Sequence, residues 1–181
     1  MLYSFITNPL VYCGVILAGI FGLLGGSLFG NFQNADELKR SAYRETALEM
    51  VFVFFPVFLY AIAHTINGTL ISLLKSPELP VIAMILAGMA IVNVFKATYA
   101  TGDKIEFSKL LLVLLAFLFV FMCCGGLVFW LTIDSTVSIW ISVVNCIVLF
   151  VTVLFHFGVS APLNAISKDP TLLSKGYNKK S

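Results

Sequence analysis

Residues 110–132 read LLLVLLAFLFVFMCCGGLVFWLT and include no charged side chain. A helix needs about 20 predominantly apolar residues to cross the hydrocarbon core of a bilayer, which is roughly 30 Å thick. A run of this length and composition is typical of a transmembrane helix, and we predict a span over residues 108–132.

The composition of the sequence favours the same environment. Its 181 residues are 60% hydrophobic and 11% charged, whereas soluble domains average roughly 45–50% and 25%. A globule of this size could not bury so much apolar surface, so much of the chain must face lipid. This excludes a soluble enzyme, a disordered tail, a disulfide scaffold and a fibrous repeat. The net charge of +2 is too small for a nucleic-acid-binding module, and we expect no direct nucleic-acid partner.

Four other segments have the length and hydropathy of a membrane span. The five predicted spans cover residues 9–30, 47–74, 79–98, 108–132 and 137–159. Residues that favour helix ends lie between them, among them Ser76 with Pro77 before the third span and Gly102 after it. The predicted fold class is an all-α polytopic membrane helix bundle of about five transmembrane helices, formed by residues 1–160 as a single unit.

Two segments are predicted to lie outside the bilayer. The helix of the second span begins near Asn34, and at 1.5 Å per residue it would be about 60 Å long if it continued unbroken to Leu74. Residues 31–46 would then form a cytoplasmic helical extension. Residues 161–181 are predicted to be an irregular basic tail, because Pro162 begins a series of helix-breaking residues.

The distribution of basic residues indicates the orientation. Counted from the N-terminal stub through the four loops to the tail, Lys and Arg number 0, 3, 1, 3, 0 and 4. Ten of the eleven basic residues then lie on one side, which the positive-inside rule assigns to the cytoplasm. The N-terminus is predicted outside and the C-terminus in the cytoplasm. Trp130 and Trp140 lie at the outer ends of their spans, and an arrangement of four spans would break the alternation.

One face of the first span carries a small residue at every fourth position. These helix-packing residues are Gly14, Ala18, Gly22, Gly26 and Gly30. Small side chains let two helix backbones approach closely in lipid. The pattern predicts a packing face and leaves the partner open between another helix of the same chain and a second copy. Glycine enrichment without a partner is the third interpretation.

Polar side chains occur within the second, third and fifth predicted spans. These intramembrane polar residues are Glu49, Tyr60, His64, Asn67, Asn93, Asn145 and His156. Such groups are costly in a span and usually face the bundle interior or water. One interpretation is a polar path along the second and fifth spans, with His64 as a proton-sensitive element. The favoured interpretation is interhelical hydrogen bonding, with Asn145 bonded to Asn67 or His64.

Several signatures of catalysis and conduction do not occur in the sequence. It has no carboxylate near the predicted bilayer centre, no arginine ladder and no TVGYG filter. It has no phosphate-binding loop and no HExxH motif. Its four cysteines lie in apolar runs without zinc-type spacing. We therefore expect no enzymatic activity, no cofactor and no metal site.

Two functions fit such a chain. The first is an oligomeric membrane scaffold or sensor that docks a cytoplasmic protein, with the lipid bilayer and further copies of the chain as its other partners. The expected partner-docking residues are Asp36, Lys39, Arg40, Arg44, Lys168 and Lys175. The second is a small channel or transporter lined by the polar faces of the second and fifth helices. A soluble protein that co-purifies stoichiometrically would favour the first, and ion flux in liposomes the second.

In size, hydropathy and basic cytoplasmic segments, the chain resembles the membrane subunits of bacterial antiphage defence systems of the Kiwa type. The resemblance lies in overall format and assigns no role to individual residues. It implies a location in the bacterial inner membrane and a function in antiviral defence beside a cytoplasmic effector.

The predicted topology can be tested by cysteine labelling. In the variants Ser41→Cys and Ser181→Cys, the new thiol should react with a membrane-impermeant maleimide only from the cytoplasmic side, because basic segments remain inside. The thiol in Ser135→Cys should react only from the outside. Labelling of Ser41→Cys and Ser181→Cys from opposite sides would contradict the arrangement of five spans.

Overall fold

The computed structural model describes residues 8–29, 37–102, 107–134 and 136–170. Within these ranges the chain forms six α-helices and no strand. The helices are α1 (Pro9–Phe29), α2 (Glu37–Ile66), α3 (Leu70–Lys75), α4 (Glu78–Thr101), α5 (Phe107–Ile133) and α6 (Trp140–Lys168). All except α3 are long and apolar enough to cross a membrane. The predicted fold class, an all-α membrane helix bundle, is confirmed.

Contacts with α6 show how α1 and α2 are directed. The Trp140 ring at the start of α6 lies 6.4 Å, between centroids, from the Tyr12 ring near the start of α1. Near the other end of α6, Asn164 Nδ2 donates a hydrogen bond to Thr46 Oγ1 in the first half of α2, at 3.1 Å. Therefore α1 and α6 begin at the same end of the bundle, and α2 begins at the opposite end.

A hydrophobic cluster shows the directions of α4 and α5 relative to α6. It combines Val94 and Ala97 from the last third of α4, Leu110 from the start of α5 and Leu163 from the end of α6. Helix α4 consequently runs parallel to α6, and α5 runs antiparallel to both. The five spans alternate in direction along the chain, as the distribution of basic residues predicts.

Most of the described basic residues lie at one end of this bundle. We call it the basic end, and it carries Lys39, Arg40, Arg44, Lys96 and Lys168. Lys75 lies at the opposite end, in the last turn of α3. A charge separation of this kind is what orients membrane proteins during insertion.

Helix α6 occupies the centre of the bundle. It packs against α1, α2, α3 and α4, and α5 packs on the outer side of α4. Half of the span residues of α4 and of α6 are buried, compared with 17% for α1 and α2 and 11% for α5. The fold is therefore organised around an α4–α6 pair, with the other three spans at the periphery.

Helix α2 does not continue to Leu74. Gly68 has a left-handed φ of 66°. Its N–H donates to the carbonyl oxygen of Thr65 at 3.2 Å, and the N–H of Thr69 donates to that of His64 at 2.8 Å. This pair of bonds is the Schellman motif, which ends helices where a residue without Cβ takes the left-handed conformation. The predicted long helix is thus divided into α2 and the short α3.

Helix α6 continues into the predicted tail. The chain is helical as far as Lys168 rather than irregular over 161–181, and residues 171–181 lie outside the described ranges. Pro162 lies inside this helix with its ring on the exposed side, next to the buried Leu163. An interior proline costs a helix about 3 kcal/mol. Packing of the buried neighbours against α2 and α4 offsets that cost, which local sequence cannot reveal.

Side chains in the turns match the predicted helix ends only in part. Gly102 ends α4 with a φ of 56°, as predicted. The Ser76 hydroxyl donates back to the Leu73 carbonyl oxygen at 2.5 Å, so it closes α3 and does not cap α4. After α5, Asp134 Oδ1 accepts hydrogen bonds from Thr136 Oγ1 at 2.6 Å and Thr136 N at 2.9 Å. These bonds lower the pKa of the Asp134 carboxyl and hold the turn that leads to α6.

Candidate functional site

The polar residues of α2 beyond its midpoint face away from the bundle. Tyr60 and Asn67 are exposed, and His64 is half-buried. His64 Nδ1 lies 2.8 Å from Thr69 Oγ1, and its ring stacks on the Tyr60 ring with a centroid separation of 6.4 Å. These interactions are local to the turn between α2 and α3. They place His64 outside the interior polar contacts of α6.

The polar residues of α6 face the bundle interior. We call this set the polar ladder, and it comprises Ser142, Asn145, Thr152, His156, Ser160 and Asn164, each 6% exposed or less. His156 Nδ1–H donates to the carbonyl oxygen of Leu86 in α4 at 3.1 Å. The ladder extends past the predicted end of the span, since Ser160 and Asn164 repeat the four-residue spacing of Thr152 and His156. The sequence analysis did not include Ser160 and Asn164 among the polar residues of this helix, although the continued four-residue spacing could have identified them.

Asn145 fastens α6 to the connection between α3 and α4. Its Nδ2 donates to the carbonyl oxygens of Leu74 and Ser76 at 3.1 and 3.3 Å. The predicted bond to Asn67 or His64 is therefore wrong. The turn at Gly68 carries those two side chains away, and backbone carbonyls take their place as partners.

Glu49 and Asn93 meet near the basic end. Asn93 is 3% exposed in α4, and Glu49 of α2 is half-buried beside its amide and close to the Lys96 charge. One carboxyl oxygen of Glu49 and the amide nitrogen of Asn93 are buried without a hydrogen bond of good geometry within the described part of the chain. The pair forms a polar layer between α2 and α4 that faces the charged surface described next.

A charged groove of about 840 Å³ opens at the basic end between α2 and the last turn of α6. Its lining residues are Glu37, Arg40, Ser41, Arg44, Glu45, Leu48, Glu49, Phe52 and Lys168. Lys168 pairs with Glu45, and its Nζ also lies 3.4 Å from Ser41 Oγ. The groove is therefore built on two helices that are cross-linked by charge and by hydrogen bonds.

The charged groove brings together three of the predicted partner-docking residues. Arg40, Arg44 and Lys168 line it, although they are far apart in sequence. Lys39 is exposed on α2 but is not part of the lining. Asp36 and Lys175 lie outside the described ranges.

The small-residue stripe of α1 faces outward. Gly14, Ala18, Gly22 and Gly26 are exposed, and a Cβ added at any of the three glycines would meet nothing within 4 Å. The predicted Gly30 lies outside the described ranges. Helix α1 meets the bundle through other residues, including Gly19, where an added Cβ would lie 3.4 Å from the Phe150 ring. The stripe has no partner of its own chain among the described residues.

Comparison of the chain with protein-family models, with curated proteins and with solved structures found no match. Within the described ranges, no group of three or more His, Cys, Asp or Glu side chains is arranged to hold a metal ion. The fold itself defines the class: a multi-pass helical integral membrane protein with a charged groove at its basic end.

The two histidines differ in environment, and their alanine variants should differ in stability. His156→Ala should lower the free energy of unfolding by about 2 kcal/mol or more, because it removes an interhelical hydrogen bond and leaves a buried cavity. His64→Ala should lower it by less than about 1 kcal/mol, because it loses only local bonds. Reversible unfolding in mixed micelles measures both. Equal losses would contradict the different placement of the two side chains.

Proposed function

We propose that this protein is a membrane scaffold that docks a soluble protein in the charged groove at its basic end. The observation that carries the proposal is the direct bonding between the two helices that form the groove. Asn164 bonds to Thr46, and Lys168 pairs with Glu45 one turn further on. Bonds between the two helices fix their relative position before a partner binds, which reduces the entropy lost on association.

The charges of the groove determine the kind of partner. Arg44 and Glu37 are exposed on α2, whereas Glu45 is already paired with Lys168. A soluble protein that presents an acidic patch with a few basic residues would be complementary. Under the positive-inside rule the basic end lies in the cytoplasm, so the proposed partner is a cytoplasmic protein.

The outward stripe of α1 supports a second part of the proposal, which is association of several copies. Gly14, Ala18, Gly22 and Gly26 leave a smooth face on the outside of the bundle, where another helix backbone can approach closely. In an oligomer, several charged grooves would lie in one plane. A multivalent partner would then bind more tightly than to a single copy.

The resemblance to Kiwa-type membrane subunits suggests a setting for this proposal. In that setting the chain lies in the bacterial inner membrane and the docked protein is an antiphage effector. The channel interpretation has weaker geometric support. His64 and Asn67 lie on the outside of α2, and Asn145 and His156 lie inside the bundle, so the two polar stripes share no cavity within the described part of one chain.

Docking can be tested by charge reversal in the groove. When the protein is purified in mild detergent from the cells in which it is native, a soluble protein should co-purify in stoichiometric amount. Arg44→Glu should reduce the bound partner about tenfold or more, because close interfacial charge pairs couple by more than about 1.4 kcal/mol. Lys75→Glu, a matched reversal at the opposite end, should leave binding unchanged. Both amounts are read from quantitative mass spectrometry of the complex.

Equal recovery of the partner with Arg44→Glu and with the unmodified protein would place docking elsewhere. If no soluble protein co-purifies, and the purified chain conducts ions in liposomes, the scaffold proposal is wrong and the channel interpretation replaces it.

A further inference from the structure

An apolar crevice of about 410 Å³ lies between α1 and α2, away from the charged groove. One wall runs from Leu17 to Leu28 of α1, and the other from Val51 to Ala61 of α2. Leu149 of α6 contributes to the floor, and leucines of α3 close one end. No residue that lines the crevice has a polar side chain.

The crevice opens toward the lipid that surrounds the bundle. Phe21, Phe55 and Phe58 line it and are each more than half exposed, so they form a rim rather than a lid. An empty crevice of this kind would deprive its lining atoms of dispersion contacts. The surrounding bilayer supplies acyl chains at high local concentration, and they are the apolar groups that can fill it.

The length of the crevice matches one leaflet. Eleven residues separate Leu17 from Leu28, and ten separate Val51 from Ala61, which at 1.5 Å per residue gives walls of about 15–16 Å. The hydrocarbon core of a bilayer is roughly 30 Å thick. Leu28 and Val51 lie toward the basic end, and the leucines of α3 close the crevice at its other end. A single acyl chain that enters from the basic end therefore has the required length.

Positive charge lies beyond the mouth of the crevice at the basic end. Along α2, successive members of the series Arg40, Arg44, Val51, Phe55 and Phe58 are four, seven, four and three residues apart. These are helical spacings, so the two arginines share a face of α2 with the crevice wall. Arg44 is about 10 Å from Val51 along the helix axis. Arginine presents a fork of donors that suits phosphate oxygens, and its apolar stem can lie along the lipid surface.

We propose that the crevice between α1 and α2 binds one acyl chain of an anionic phospholipid from the leaflet at the basic end, with the lipid phosphate near Arg44. The charge of the side chains near Arg44 favours an anionic ligand. Residues 37–44 include three basic side chains and one acidic side chain, and the acidic Glu45 that follows is paired with Lys168. The leaflet that faces basic segments is also the one that carries anionic lipid in cells.

The test is a lipid titration of the purified protein by native mass spectrometry, with dioleoyl phosphatidylglycerol and dioleoyl phosphatidylcholine as probes. The unmodified chain should bind the anionic lipid about fivefold more tightly or better, because of the arginine charge. Gly25→Leu should reduce the affinity for both lipids about tenfold or more, because the new side chain fills the crevice. Gly126→Leu adds the same volume on the exposed face of α5, where an added Cβ would meet nothing within 4 Å, and should bind like the unmodified chain.

Two further variants keep the experiment decisive. Ala61→Leu fills the crevice from the opposite wall and should reproduce Gly25→Leu, so misfolding of one variant does not leave the question open. Arg44→Gln should lower only the affinity for phosphatidylglycerol, to that for phosphatidylcholine. Unchanged lipid binding in both Gly25→Leu and Ala61→Leu, or equal affinity of the unmodified chain for the two lipids, would overturn the proposal. The titration contains no soluble protein, so either result is independent of docking in the charged groove.

Discussion

A polar side chain inside a bilayer must find its partners within the protein, because hydrocarbon offers none. This constraint organises the whole bundle around α6. The polar ladder lies on one face of that helix. Three of its members, Asn145, His156 and Asn164, bond to the connection before α4, to α4 and to α2, respectively. Helices α1 and α5 present no comparable polar face, and they occupy the periphery.

The five spans, their alternating direction and the inward face of α6 could be predicted from the sequence. The length and hydropathy of a segment are sufficient to predict that it spans the membrane, and the basic residues between the segments are sufficient to predict that the spans alternate in direction. Neither prediction requires knowledge of how the helices pack. The same reasoning was wrong for His64 and Asn67, which lie outside the bundle. Lipid and protein interior are both apolar, so a polar stripe points inward only when it has no nearer partner. Thr69 provides that partner for His64.

Two other features depended on packing that no single segment reveals. Helix α6 continues through Pro162 because its end is held against α2, and this is what creates the charged groove with Arg44 and Lys168. The platform proposed for a soluble partner therefore depends on the α2–α6 contact, whereas the site proposed for a lipid lies between α1 and α2.

The hydrogen bond between Asn164 and Thr46 tests that contact most directly, since both partners are buried side chains. The measurement is a double-mutant cycle of Asn164→Leu and Thr46→Val, read as free energies of unfolding in mixed micelles. If polar bonds from α6 hold the bundle together, the two substitutions should couple by about 0.6–1.7 kcal/mol. Strictly additive losses would show that the bond contributes nothing and that α6 does not hold α2 in this way.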